Sequence, residues 1–402
     1  MKQDIQRERR LMVAAVRRGR PLREVARKFK VALSTVQRWV RRAHGRALPS
    51  VDWSDRSHAP RRCPHRCTEP VRRAIVAQRA DLAQGALGFV GAGAIHEQLH
   101  ARLGAACPSV RTIGRVLVAE GLVGQSRRLR RSPPPPGWYL PAVAARQADL
   151  DSCDYIEDLR IEDGPFVQVL TIRSLWSPVA GAWVAERSSA AHVCQGLLSA
   201  WRQHGRPRYV QFDNGAVFQG ARNRPDIFGA VTRFCLALGV TPVFAPPAEH
   251  GVQNLIESFN GLWQQKVWQR FHHPDAPALQ QTSDRFAAAW CARRARCGHP
   301  APRTPLPPSG HLDLRQLAPG TIIYLRRCDD RANIAVLGQR LALPATCAHR
   351  LVRLEVDLTA SLIRCYGLRR SEPHCQPLLL EQPYSPAARR GFQAKLTCIN
   401  WH

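Results

Sequence analysis

Residues Tyr209-Val210-Gln211-Phe212-Asp213-Asn214-Gly215 read as a short apolar strand that stops at an aspartate and turns on Asn-Gly. An acid at that place matters, because open α/β sheets bind ligands in the crevice beyond the C-terminal ends of their strands. Working outward, Ser189–His204 has the spacing of an amphipathic helix, Ala230–Leu238 of a second helix, and Val240–Ala245 of another strand. Upstream, Asp154–Ile161, Phe166–Arg173 and Val179–Glu186 are three strands joined by short turns, the first at Glu162-Asp163-Gly164-Pro165. Downstream, Val252–Arg270 is a long helix. The order βββαβαβα predicts an antiparallel meander extended by parallel strands, with helices packed on the faces, over residues 147–297.

Two further acids belong to this pattern. Asp154 lies in the first strand, and Glu257 lies on the long helix with Asn254, Gly261 and Gln264 on its face and Asn260 one turn on. Clustered carboxylates repel one another and need a cation to stay close. Hard oxygen ligands suit Mg²⁺, or Mn²⁺ in its place. Two ions about 4 Å apart can stabilise both the attacking and the leaving oxygen of an in-line displacement at phosphorus. Singly, Asp213 is a turn residue, Glu257 a solvated helix charge and Asp154 an edge-strand acid. Together they form the candidate catalytic and metal-binding set.

Charge points to a polyanionic partner. The 402 residues carry 59 Lys plus Arg against 30 Asp plus Glu, a formal net charge of +29. Such an excess favours nucleic acid as partner. Residues 1–46 alone hold fifteen Lys/Arg and three acids, Asp4, Glu8 and Glu24. Within them Leu22–Lys30, a break and Ser34–Arg42 spell a helix-turn-helix, with Ser34 expected as the N-cap of the recognition helix. Thr35, Gln37, Arg38, Arg41 and Arg42 are expected on its outer surface, as DNA contacts, with Trp39 buried. Residues 68–125 read as a second helical, helix-turn-helix-like domain, with apolar stripes Ile95/Leu99/Leu103 and Ile113/Val116/Leu117 and a Ser cap at Ser109. Residues 126–146 are a basic, proline-rich linker in which Arg127, Arg128, Arg130 and Arg131 can lie along phosphates. After a proline-rich break, Thr321–Arg327, Ile334–Leu337 and Leu351–Val356 predict strands of a small β-barrel over 305–385.

No run of 18 or more apolar residues occurs, and the basic N-terminus lacks a secretory apolar stretch. Thirteen scattered Cys, an odd number, fit reduced thiols and a cytoplasmic location. Cys63 and Cys67 flank His65 but have no second Cys/His pair nearby, so ordinary loop cysteines are expected there.

With these residues in place, the chain resembles the insertion-sequence transposases of the DDE transposase/retroviral-type integrase superfamily. The matching stretches are Cys153-Asp154-Tyr155-Ile156-Glu157-Asp158-Leu159, Val210-Gln211-Phe212-Asp213-Asn214-Gly215, Asn254-Leu255-Ile256-Glu257-Ser258-Phe259-Asn260, and Leu238–Pro247 before the acidic helix. The resemblance covers roughly residues 20–355. It implies an α/β, ribonuclease-H-like catalytic core, preceded by the all-α helix-turn-helix region. It also implies Asp154, Asp213 and Glu257 as ligands of two Mg²⁺ ions, and an N-terminal domain that reads transposon-end DNA. Cleavage at the element end and 3′-hydroxyl strand transfer into target DNA would follow, carried out by a homo-oligomer on the bacterial nucleoid. Departures are Arg173 where the family usually has an acid, Leu255 where many members have Gly, and an apparent insertion at Gly220–Phe228. The His/His/Cys/Cys zinc spacing of retroviral integrases is not found. The rival readings are a non-catalytic helix-turn-helix DNA-binding regulator with a decayed core, and a junction-type nuclease that cuts without joining.

Overall fold

The computed structural model describes residues 2–55, 67–123, 135–161, 164–220, 227–247, 251–297, 300–386 and 396–401. The chain divides into two compact units, Met1–Thr68 and Glu69–His402. The expected linker arginines Arg127, Arg128, Arg130 and Arg131, the turn residues Glu162 and Asp163, and Cys63 and His65 all lie outside the described residues.

The first unit is a three-helix domain: α1 (Lys2–Arg17), α2 (Leu22–Lys28) and α3 (Leu33–Ala43). Met12, Val13, Val25, Ala26, Val36 and Trp39 form its core. Trp39 is 1% exposed, as the helical spacing predicts. The α2–α3 turn closes through Val31 N donating to Ala26 O at 3.0 Å, with Lys30 in the left-handed region at φ 52°. Ser34 does not cap α3: the helix starts at Leu33, its N-cap is Ala32, and no side chain accepts there. Leu33 packs on the core, which draws the first turn inward by one residue. A return segment lays Trp53 against Trp39, ring centroids 5.9 Å apart.

The second unit begins with α4 (Glu69–Gln84), α5 (Ala92–Leu103), α6 (Val110–Ala119) and the short α7 (Pro141–Ala144). Ile75, Ile95, Leu99, Ile113, Val116 and Leu117 are buried, so the two apolar stripes face inward. Ser109 caps α6, accepting from Thr112 N. Then follow β1 (Leu150–Arg160), β2 (Phe166–Ser174), β3 (Ala180–Ala185), α8 (Ala190–His204), β4 (Tyr209–Phe212), α9 (Ala216–Gln219), α10 (Ala230–Ala237), β5 (Thr241–Phe244), α11 (Asn254–Trp263) and α12 (Ala276–Cys297). The C-terminal part adds β6 (Gly310–Asp313), β7 (Thr321–Arg327), β8 (Asn333–Val336), β9 (Gln339–Ala342), β10 (Leu351–Asp357), β11 (Leu362–Gly367), β12 (Leu378–Pro383) and β13 (Cys398–Trp401).

One sheet has the order β12-β11-β10-β7-β5-β4-β1-β2-β3. β1, β2 and β3 form the antiparallel meander; β4 runs parallel to β1, and β5 parallel to β4. The expectation of a separate small β-barrel over 305–385 is corrected here. β7 pairs in parallel with β5 through Val243↔Ile323 and Phe244↔Tyr324, and β10, β11 and β12 continue the same sheet. The physical reason is an edge: β5 would otherwise present unpaired backbone beside a buried apolar face. Phe244 and Tyr324 stack at 5.1 Å across the join, and one apolar core runs under both halves. The opposite edge is covered differently. Gln280 of α12 accepts from Val184 N at 2.7 Å and donates to Ala182 O at 2.9 Å, so an amide side chain stands in for a further strand on β3.

The join between the halves is held by charge. Arg303 donates to Asp149 at 3.0 Å and to both carboxylate oxygens of Asp151 at 2.8 and 2.9 Å, the side chains of all three being buried. It also donates to the carbonyls of His204 and Gly205 at the end of α8. Removing one partner of a buried ionic cluster leaves uncompensated charge, which costs about 3–5 kcal/mol. Arg303→Met is therefore expected to lower the unfolding free energy of Glu69–His402 by that amount in urea titration. An unchanged midpoint would show that the cluster does not hold this join.

Candidate active site

The parallel register between β1 and β4 sets the site. Leu150, Asp151 and Ser152 stand opposite Tyr209, Val210 and Gln211. Asp154 and Asp213 each follow the last pair by two residues, so the pleat brings both to the same side of neighbouring strands. β4 ends at Phe212, which leaves Asp213 at the strand's C-terminal end, as the sequence predicts. Its Oδ1 accepts from Gly215 N at 2.8 Å, an Asx turn that opens α9. A Cβ at Gly215 would meet that oxygen at 2.9 Å, so a side chain there would push the Asp213 carboxylate out of the turn.

Helix α11 brings the third acid. Ile256, Phe259 and Trp263 bury one face of it, and Glu257 is left exposed in the first turn. Three contacts fix the helix. Gln211, fully inside, takes Tyr139 Oη at 2.9 Å and Ser152 Oγ at 3.2 Å on its carbonyl and donates to Val252 O at 3.4 Å, just ahead of α11. Arg173 donates to Leu255 O at 3.0 Å and to Ser258 Oγ at 2.9 Å. Asn260 donates to Asp154 Oδ2 at 3.0 Å and accepts from Thr171 Oγ1 at 2.6 Å. Thr171 was not singled out from sequence, although Asp154↔Thr171 is a cross-strand pair that the meander register makes unavoidable.

Burial is the first cause that pushes the Asp154 carboxyl up to about 6, and the negative charges of Asp213, Glu157 and Glu257 push in the same direction. A hydrogen bond from Tyr155 N opposes them. Asp213 and Glu257 thus lie close enough to act electrostatically on Asp154. The neighbouring acids Asp149 and Asp151 belong to the Arg303 cluster instead. Among the described residues no Lys or Arg pairs with Asp154, Asp213 or Glu257. Carboxylate oxygens with no protein cation are a donor set that fits Mg²⁺ or Mn²⁺.

In the first unit, Gln37, Arg38 and Arg41 are exposed on α3, while Thr35 and Arg42 are half-buried. Arg42 pairs with Asp52 at 2.8 Å, donates to Ser54 O and lies 5.0 Å from the Trp39 ring centroid. Ser34, also exposed, completes an i, i+3, i+4, i+7 stripe with Gln37, Arg38 and Arg41.

The raised Asp154 value carries a pH prediction. A carboxyl that titrates higher when folded favours the protonated form, so its contribution to metal-free stability is present at low pH and is lost as pH rises through about 6. A divalent ion needs the ionised carboxylate. The rise in thermal midpoint on adding Mn²⁺ is therefore expected to be small below about pH 5 and to reach its plateau above about pH 7. Equal Mn²⁺-induced shifts at both ends of that range would remove Asp154 from the ligand set.

Residues 6–49 match the family of homeodomain-like domains. No curated protein matches the chain. Among solved structures, the catalytic core domain of bovine immunodeficiency virus integrase is 15% identical, covering 35% of this chain and 81% of that one at a TM-score of 0.26. A chain of the simian T-cell lymphotropic virus intasome in complex with the PP2A regulatory subunit B56 gamma is 14% identical, covering 73% and 98% at 0.31. The HTLV-2 integrase catalytic core domain in complex with magnesium is 14% identical, covering 33% and 80% at 0.25. At its N-terminus, over residues 6–49, the chain has a homeodomain-like domain.

Proposed function

We propose that this chain is a DNA transposase or integrase, a polynucleotidyl transferase that cuts element-end DNA and joins the freed 3′-hydroxyl to target DNA. What supports the reading is that Asp154 and Asp213 occupy matching positions on neighbouring parallel strands, that Asp213 and Glu257 both help raise Asp154, and that none of the three pairs with Lys or Arg among the described residues. Divalent ions bound there, two in this reading, would neutralise charge on the transferring phosphoryl group. The chain's own residues supply placement. Asn260 and Tyr155 N orient the Asp154 carboxylate, the Asx turn orients Asp213, and Arg173 with Gln211 holds the start of α11, which carries Glu257. No covalent protein–DNA intermediate is required, so no Ser or Tyr nucleophile is assigned.

The homeodomain-like domain supports sequence-specific binding of the element ends, with Gln37, Arg38 and Arg41 of α3 reaching base edges in a major groove and Thr35 at its rim. Arg42 we assign to the domain's own ion pair with Asp52, and to phosphate contact only secondarily. Arg127, Arg128, Arg130 and Arg131 supply the sequence-independent phosphate attraction that a charge of +29 implies. Assembly as a homo-oligomer on DNA belongs to the same proposal.

Two measurements test it. Asp213→Asn keeps side-chain volume and removes one charge, so gel-shift affinity for element ends should stay within about twofold while strand transfer in Mg²⁺ falls by at least about a hundredfold. Transfer within a few-fold of wild type would exclude Asp213 as a ligand. Binding without transfer from either protein would favour the regulator, and cutting without joining the junction nuclease. Separately, Arg38→Ala with Arg41→Ala should cost about 1–3 kcal/mol per lost base contact and erase the footprint on element ends. A footprint that survives both changes means another element reads the DNA.

A further inference from the structure

A second cluster of ligating side chains lies far from the carboxylates in sequence, in the α4–α6 bundle. His96 and His100 are four residues apart on α5 and therefore share a face. Their rings stack with centroids 5.4 Å apart and an interplanar angle of 12°. At the end of α5, Gly104 takes a left-handed φ of 53°, and the tight turn Gly104–Ala106 folds the chain back. That reversal carries Cys107 to the same place, its Sγ 3.9 Å from His96 O. One ligand atom from each of His96, His100 and Cys107 lies within 4.8 Å of the others.

We propose that His96, His100 and Cys107 form a zinc-binding site that staples the α5–α6 turn. Two imidazoles and one thiolate are the nitrogen and sulfur donors that Zn²⁺ takes in a tetrahedron, at about 2.0–2.1 Å and 2.3 Å respectively. Carboxylate-preferring Mg²⁺ is a poor match to this set, so the two sites divide by donor softness. With three protein ligands, the fourth position falls to solvent, which is available because His100 is exposed. On binding, the thiol proton leaves to water and a zinc–sulfur bond forms, with no change of oxidation state. The ion would tie the last turn of α5 to the Ser109 cap of α6, in a bundle whose own core is only a handful of apolar side chains.

The test is Co²⁺ substitution in the full chain, because a thiolate–cobalt bond gives a near-ultraviolet charge-transfer band that carboxylate ligation at Asp154, Asp213 and Glu257 does not. A molar excess of Co²⁺ should produce the band in the wild type, and Zn²⁺ should abolish it by displacement. Cys107→Ser should lose the band, and His100→Ala, at an exposed position that leaves the fold intact, should weaken Co²⁺ binding by at least about tenfold. No band in the wild type, or a band unchanged in Cys107→Ser, overturns the proposal. Retention of wild-type affinity in His100→Ala overturns the three-ligand assignment. None of these outcomes depends on strand-transfer activity.

Discussion

One buried guanidinium organises the α/β part of this protein. Arg303 sits between Asp149 and Asp151 at the start of β1 and reaches the carbonyls that end α8. Next to it, Arg206 and Thr304 exchange backbone hydrogen bonds, so the segment leaving α12 is fastened before it enters the C-terminal strands. Trp201 Nε1 and Ser174 Oγ donate to the same Asp151 Oδ2 and Asp149 Oδ2 that Arg303 meets, and Leu150 N and Trp176 N donate to Asp149 Oδ1. Two acids and one base in a desolvated place are tolerable only when all their hydrogen-bonding capacity is met. That condition is satisfied here, and it places the first residues of β1 where β4 can pair with them.

The same cluster explains a contrast along β1. Asp149 and Asp151 are neutralised by Arg303, whereas among the described residues the Asp154 carboxylate, three residues further on, has only an amide and a backbone N–H as partners. Strand geometry sends residues of opposite parity to opposite faces, so one strand serves both as a structural anchor and as a source of unneutralised charge. Polar contacts around α11 then keep the charge concentrated. Asn260 and Thr171 constrain the Asp154 carboxylate, while Arg173, stacked 5.0 Å from the Trp290 ring, grips the first turn of α11. Burial lowers Arg173 to about 10, and its contact with helix carbonyl and hydroxyl oxygens aims the guanidinium at α11 and not at the acids. Arg173 therefore serves to position the helix.

In the N-terminal domain, cations are divided between fold and surface. Arg9 and Arg42 lie 4.4 and 5.0 Å from the Trp39 ring and pair with Asp55 and Asp52. These contacts pin the return segment to α1 and α3. Gln37, Arg38 and Arg41 stay exposed for an outside partner, although Arg38 also lies 5.7 Å from the Trp39 ring centroid.

Much of this was legible in the residues. Alternation of apolar positions marks β1 to β5, the Asp-Asn-Gly turn marks the end of β4, and helical spacing marks α2, α3, α8 and α11. These are local signals, and period and turn chemistry decide them without long-range information. Helix α12 carries no such signal, because its alanine and arginine content gives no clear apolar stripe; its place comes from Gln280 meeting the edge of β3. The pairing of β7 with β5 was equally invisible, since nothing local in Thr321–Arg327 distinguishes a barrel strand from a sheet extension. Which acids are neutralised rests on Arg303, some 150 residues away, and which arginine of α3 is engaged rests on Asp52. The sequence by itself determined the elements and the candidate acids, because those follow from neighbours along the chain. Tertiary structure alone decided strand partners, charge partners and the meeting of His96, His100 and Cys107, because each depends on which distant surface must be covered or neutralised.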